Sequence, residues 1–318
     1  MTRHLLSMAE LSPADIKQIV SIAYNLKYNA PKYIPVLANK SIGLIFDKVS
    51  TRTRISMELA VVQLGGHATT LNNRDTQLSR GEPIKDSARV MSGYFDGVMI
   101  RTFGHNIIEE FAKYGSISVI NGLTDLEHPL QVLADMLSVY EKYKKLAGIK
   151  LTYIGDPNNM LNSLAVGGLK VGMNIAYASP EKYPMDADYV AISQELAAAN
   201  KLSFEHSTDP LKASKNSDVV YTDVWASMGQ EDEAEARAQD YADYQINKGV
   251  LDVCHPDPLV LHCLPAHRGE EITDEVMESH ADEIFNQAHN RLHAQKAVLV
   301  WLFADREKYK DLFKGLGI

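Results

Sequence analysis

The feature that most restricts this chain is an alternation, repeated along its length, of short apolar runs with longer amphipathic stretches. A run too short for a buried helix, and apolar at successive positions, suits a strand covered on both faces. The stretch that follows suits the crossover helix that two parallel strands require. The pattern predicts strands over Ser41–Phe46, Gly97–Arg101, Ser116–Asn121, Lys150–Gly155, Met173–Ala178, Asp218–Thr222 and Leu259–His262. Helices are expected between them, among them Thr51–Leu64, Ile84–Tyr94, Pro129–Tyr143 and Ile272–Glu278. A chain of 318 residues is long for a single core. The expected fold class is therefore α/β, in two domains, each a mostly parallel sheet flanked by helices, with an active-site cleft between them. Lys142–Ile149, polar at first and closed by Gly148, marks the crossing, which gives domains 1–141 and 150–288. The tail from Arg291 to Leu302 reads as one more helix, and residues 290–318 are expected to pack back on the first domain.

A net charge of −9 argues against a general nucleic-acid binder, whose footprint is basic. It leaves room for a small anionic substrate, which needs only a local cluster of Arg and His. No apolar run reaches the roughly 18 residues of a membrane-spanning helix. The opening MTRHLLSMAELSPADIKQIV has neither a secretory core nor a small-residue cleavage site, so a cytoplasmic location is expected. Two cysteines, Cys254 and Cys263, are too few for a disulfide framework at this length.

The motifs that carry chemistry sit where the predicted strands end. In FDKVSTRTRISMELA, residues 46–60, Ser50 should cap a helix whose first turn holds Thr51, Arg52, Thr53 and Arg54. The unpaired N–H groups of a helix start attract an anion, and hydroxyls and guanidiniums in the same turn would complete a phosphate cradle. A Ser-capped surface helix with exposed arginines is the plainer alternative. VMIRTFGH puts Arg101 at the C-terminal end of a strand, where ligands collect in open α/β sheets. In EHPLQVLADM, Pro129 suits the first helical position, and His128 and Gln131 share one face of that start. They could meet a ligand's carbonyl and NH2, or serve only as capping residues.

Further on, GDPNNMLNS and YTDVWASMG both follow strands of the second domain and supply Asn159 and Asp223. An amide and a carboxylate suit the two ends of an amino acid, although Asn and Asp are also ordinary turn formers. No G-x-G-x-x-G follows Gly155-Asp156, which argues against a dinucleotide loop. LHCLPAHRGEEIT brings Cys263 out of a strand beside His262 and His267. Without a CxxC spacing a metal site is not expected. A nucleophilic thiol and a buried inert one stay open. NQAHNRLHAQKAVL places Arg291 at the expected start of the last long helix.

Taken in order, STRTR, HPLQ, DVWASMG, HCLPAHRG and NRLHAQKA resemble the aspartate/ornithine carbamoyltransferase family, and within it the members that use ornithine. The resemblance runs from RHLLSMAELSPADI to the last helix. It implies carbamoyl transfer from carbamoyl phosphate to the δ-amine of L-ornithine, a step of arginine biosynthesis, without metal or organic cofactor. It also implies a homotrimer, or a multiple of trimers, with sites at subunit borders and no nucleic-acid or membrane partner. By resemblance, carbamoyl phosphate is held by Ser50, Thr51, Arg52, Thr53, Arg101, His128, Gln131, Cys263, Leu264 and Arg291. Gln77, in DTQLSRGEPIKD, reaches a neighbouring subunit's site. Ornithine is held by Asn159, Asp223, Ser227 and Met228, and the catalytic set is Arg101, His128, Cys263 and Arg291. Aspartate-using members resemble HPLPR where this chain has HCLPAHRG, carry Lys in place of Arg80, and lack the SMG element. The chain departs from the pattern at Val49, at Ser118 and in a short GDPNN loop.

Overall fold

The computed structural model describes residues 2–72, 74, 76, 77, 80–227, 229 and 231–318. They form two compact units, Met1–Ala134 with Asn290–Gly317, and Asp135–His289. In the first unit the order is α1 (Pro13–Tyr28), β1 (Ser41–Phe46), α2 (Thr51–Gln63), β2 (His67–Asn72), α3 (Ile84–Met91), β3 (Gly97–Arg101), α4 (His105–Tyr114), β4 (Ser118–Leu123) and the start of α5 (Pro129–Tyr143). All strand pairs are parallel, in the order β2-β1-β3-β4. Strands β1, β3 and β4 are buried almost throughout, as helices on both faces of a parallel sheet require.

The second unit continues with β5 (Lys150–Ile154), α6 (Asn159–Lys170), β6 (Asn174–Ala178), α7 (Ala187–Asn200), β7 (Phe204–Ser207), α8 (Pro210–Ser214), β8 (Val219–Thr222), α9 (Ala234–Asp240), α10 (Lys248–Asp252), β9 (Leu259–His262), α11 (Asp274–Ser279) and α12 (Ala281–Phe303). Its sheet is again parallel, in the order β7-β6-β5-β8-β9. Trp225, Tyr241, Ile246 and Ile284 belong to a core over this sheet that also takes in Val220 and Val260.

The architecture is the expected α/β class with two parallel sheets. Strand β4 lies two residues later than the pattern predicts. Two strands, β2 and β7, escape the pattern: each is an outer strand of its sheet that is only partly buried. Unlike the outer strands β4 and β9, which are buried throughout, they keep solvent contact along their length, and HATTLN and FEHS accordingly lack a continuous apolar run. The last helix is a correction: α12 begins at Ala281, ten residues before the expected Arg291. Asp282 and Glu283 in its first turn suit the positive end of a helix dipole, a start signal that the apolar stretch after Arg291 obscures.

In each sheet, chain order runs outward in both directions from an inner pair, β1/β3 in the first and β5/β8 in the second. The crevice at the carboxyl ends of such a pair is where open α/β sheets bind ligands. Near the first of these, Arg101 pairs with Leu123 while Ile100 pairs with Asn121, so Gly122 is an extra residue in β4. A Cβ there would overlap Met99 Sδ and sit 3.1 Å from Ile100 O and 3.3 Å from Arg101 Cβ. Gly122→Ala should therefore lower stability by about 1–3 kcal/mol through overpacking, read as a shifted midpoint in urea unfolding.

Candidate active site

Ser50 opens α2 in an extended conformation, and its side chain accepts a hydrogen bond from Thr53 N at 3.2 Å. The first turn carries no acidic residue, so nothing there competes with an incoming anion for the positive helix end. Thr51 is exposed and Arg52 half-buried at this end, while Thr53 turns inward and is buried. Its hydroxyl oxygen accepts from Arg291 Nη2 at 2.8 Å and from Arg101 Nη1 at 3.5 Å. Arg291 Nη1 also donates to Gln131 Oε1 at 2.6 Å. Arg101 reaches this point from the end of β3, Gln131 from the first turn of α5, and Arg291 from the middle of α12. Four expected residues thus converge, although Arg291 arrives from mid-helix.

Both guanidiniums are buried, at 6% and 3% exposure. Burial removes water from two like charges, so their field on neighbours is strong. His128, buried just before α5, feels it: burial first, then Arg291 and Arg101, hold its pKa well below the usual 6.5. At neutral pH His128 is a neutral imidazole, able to donate one hydrogen bond without adding charge. Nearby, Lys48, from the same loop as Ser50, pairs with Asp125 and lies 4.3 Å over the Phe103 ring. Gln77 is exposed, and its carbonyl closes a turn by accepting from Arg80 N at 2.9 Å and Glu82 N at 3.1 Å. No hydrogen bond among the described residues joins it to the Thr53 group.

The second unit has its own polar group at the ends of β5, β8 and β9. Asp223 follows β8 and is buried. Its Oδ1 accepts from Val224 N at 2.8 Å and Cys263 Sγ at 2.7 Å, and its Oδ2 accepts from Asn158 Nδ2 at 2.9 Å. The same amide lies 3.5 Å from Ser227 Oγ. The sequence points to Asn159, but the residue bonded to Asp223 is Asn158, the N-cap of α6. Asn159 is the first residue of that helix, half-buried, with its carbonyl accepting from Ser163 Oγ at 2.9 Å. Met228 lies outside the described residues.

Asp223, His262 and Cys263 bring potential metal-ligand atoms within 4.8 Å of one another. The hydrogen bonds of His262 decide what that grouping can do. Its Nδ1 accepts from Leu264 N at 2.9 Å, so the ring proton sits on Nε2, which donates to Glu271 Oε1 at 2.9 Å. Both ring nitrogens are committed, and the imidazole has no lone pair left for a metal or for the Cys263 proton. The thiol instead donates to a carboxylate. Leu264 is held at a φ of 58°, a left-handed conformation rare for a leucine, by that bond to His262. A second grouping, His267, Glu270 and Glu271, is already spent in part, because Glu271 Oε1 also accepts from His267 N at 2.6 Å.

Sequence reasoning missed the residues that hold these groups in place. Gln287 accepts from His262 N at 2.9 Å and donates to Asp135 Oδ1 at 2.7 Å. Arg237 bonds Asp156 Oδ1 at 2.8 Å, Trp225 O at 3.2 Å and Glu233 Oε2 at 2.9 Å, bracketing the residues on both sides of Ser227. The doubled asparagine of GDPNN is a legible sign of a helix cap; nothing local in the sequence marks Gln287 or Arg237.

The fold and its two polar groups define an α/β protein with one cluster of polar side chains at the switch point of each parallel sheet, the first of them strongly cationic. Comparison with known proteins narrows this. Residues 3–141 match the carbamoyl-P binding domain, and residues 147–302 the Asp/Orn binding domain, of aspartate/ornithine carbamoyltransferase. The chain belongs to the aspartate/ornithine carbamoyltransferase family. It is 48% identical over 303 residues to an ornithine carbamoyltransferase of Anoxybacillus flavithermus, across 94% of this chain and 96% of that one. Its fold is similar to that of the ornithine carbamoyltransferase from Pyrococcus furiosus, with a TM-score of 0.89 and 45% identity over 95% of this chain and 97% of that one. It is similar also to the anabolic ornithine carbamoyltransferase from Campylobacter jejuni, with a TM-score of 0.90 and 38% identity over 95% and 99% of the two chains.

The depressed proton affinity of His128 has a consequence for stability. Below its ordinary pKa the unfolded chain binds a proton that the folded chain refuses, so this contribution to stability is present above about pH 6.5 and lost as pH falls. His128→Gln should make the loss of stability between pH 6.5 and 5.5 shallower by about 1.4 kcal/mol per pH unit at most, measured by urea unfolding across that range.

Proposed function

We propose that the protein transfers the carbamoyl group of carbamoyl phosphate to the δ-amine of L-ornithine, giving L-citrulline and phosphate. The observation that carries this reading is the convergence of Arg101 and Arg291 on Thr53 at the start of α2. Two buried guanidiniums, a helix N-terminus and hydroxyls form a site for a phosphate dianion. Ser50, Thr51, Arg52, Thr53 and Arg101 take the phosphate oxygens. Neutral His128 donates to the carbamoyl carbonyl oxygen, and Gln131 takes the carbamoyl NH2.

In the reaction the neutral δ-amine of ornithine attacks the carbonyl carbon and phosphate leaves from the tetrahedral intermediate. Donors fixed in a dry site stabilise the charge that develops on the carbonyl oxygen and the phosphate. Holding both substrates at once supplies the proximity term. Asp223 takes the α-ammonium of ornithine, with Asn159, Ser227 and Met228 completing the acceptor contacts. The resemblance adds Cys263 and Leu264 to the carbamoyl phosphate contacts. A thiol that donates to Asp223, with His262 committed elsewhere, supports a non-covalent role for Cys263. Residues 1–141 with 290–318 form the carbamoyl phosphate domain in this reading, and 150–288 the ornithine domain. The reaction belongs to arginine biosynthesis, and a cytoplasmic location suits two cysteines that form no disulfide. No helix among the described residues is long and apolar enough to cross a membrane.

Self-association into trimers belongs to the same reading. Ile55, Leu59 and Val62 form a stripe on α2 that is 53%, 44% and 50% exposed in the single chain, on the same helix as the phosphate residues. A second copy is the occupant proposed, with exposed Gln77 reaching its neighbour's site.

Acceptor-dependent phosphate release from carbamoyl phosphate should be seen with ornithine, where it matches citrulline formed, and not with putrescine or aspartate, in a steady-state assay. Arg52→Ala and Arg101→Ala should each weaken carbamoyl phosphate binding by about 2 kcal/mol; unchanged affinity in both would remove the phosphate assignment. A mixture of Gln77→Ala and Arg101→Ala subunits should recover activity through hybrid sites. Failure of every mixture, with exchange of subunits demonstrated, would confine Gln77 to its own chain.

A further inference from the structure

We infer that Asn158 is a positioning residue for the acceptor: it fixes the carboxylate of Asp223 and so leaves one direction open for a cation. The inference rests on the ornithine reading of Asp223 and extends it to a residue that does not touch substrate. Asn158 and Asp223 follow neighbouring strands, β5 and β8, paired at Tyr153–Tyr221 and Ile154–Thr222. The two residues therefore stand side by side at the switch point of the second sheet.

The orientation of the Asn158 amide is over-determined. Its Oδ1 accepts from Met160 N at 2.9 Å, which caps α6, and lies 3.4 Å from the hydroxyl of Tyr153. Tyr153 is itself fully buried, stacked on Tyr221 at 5.9 Å, with its hydroxyl donating to Asp156 O at 2.8 Å. A backbone N–H can donate only to the oxygen of the amide, so the assignment of O and N is settled by the cap. The NH2 then faces away from the helix and toward Asp223 Oδ2 at 2.9 Å.

A carboxylate has about four lone-pair directions. Val224 N and Cys263 Sγ use those of Oδ1, and Asn158 uses one of Oδ2. What remains is roughly one direction on one oxygen. Asn158 thereby decides where an ammonium group can be held, and it does so at no cost in charge, because the amide is neutral. A residue acting only as a helix cap would need the Oδ1 and not the NH2. The two functions are separable by substitution.

Asn158→Ser keeps a good cap but is too short to cap and reach Asp223 together. It should raise the KM for ornithine about tenfold, the effect of one lost hydrogen bond to a charged group, with the KM for carbamoyl phosphate changed less than about twofold by the same measure. Asn158→Asp keeps both shape and cap. Protonated, its carboxyl donates to Asp223 as the amide does; ionised, it repels it. A carboxyl with the ordinary pKa of about 4 is ionised at assay pH, so the KM for ornithine should rise at least as far as in Asn158→Ser, at unchanged circular dichroism. If both variants keep the wild-type KM for ornithine, Asn158 is a cap alone and the inference is overturned. If the wild-type protein forms no citrulline from ornithine, the acceptor reading itself falls, and the inference with it.

Discussion

Arg101 and Arg291 both lean on the hydroxyl of Thr53, and the first unit is arranged around that crowding of positive charge. Guanidiniums resist burial, and two aimed at one neutral oxygen stay there only because each comes from a rigid element. Arg101 ends a central strand, and Arg291 lies inside a 23-residue helix. The helix that carries Thr53 is fixed in turn by its Ser50 cap. Once these are in place, the protonation state of His128 is no longer its own affair, since burial and both arginines hold it neutral. In the reading proposed above, this positive charge is what meets the phosphate of the substrate.

The second unit solves the opposite problem. Its central group is a buried carboxylate, Asp223, and its neighbours are donors that carry no charge: a backbone N–H, a thiol and an amide. The imidazole of His262, which the sequence offers as a base or a ligand, is spent on local structure, bridging Leu264 N and Glu271. The HCLP turn is thus held by its own histidine, and Cys263 is presented with its proton directed at Asp223.

Much of this was legible in the residues and some was not. Buried strands, the outer β4 and β9 among them, were readable because both faces are covered, so apolar positions run on with few gaps. The Ser50 cap and the His128–Pro129 start were readable because capping chemistry is local. Arg291 was identified but misplaced, since α12 starts with a polar turn that resembles a loop until the rest of the helix is seen. Asn158 was passed over for Asn159, because two adjacent asparagines at a helix start differ only in which one is the cap. Gln287 and Arg237 act over separations of many residues, and no local pattern marks them. Long-range polar contacts are fixed by topology, and only a fold shows them.

The strands that escaped notice close the point. β7 is four residues long, and its Glu205 and His206 are exposed at the outer margin of a five-stranded sheet. An open margin of unpaired backbone groups invites another chain to add on, the first step of ordered aggregation. Brevity and a carboxylate at that margin discourage it. The polarity that hides β7 from a reading for apolar runs is what lets the sheet end there without inviting a further strand.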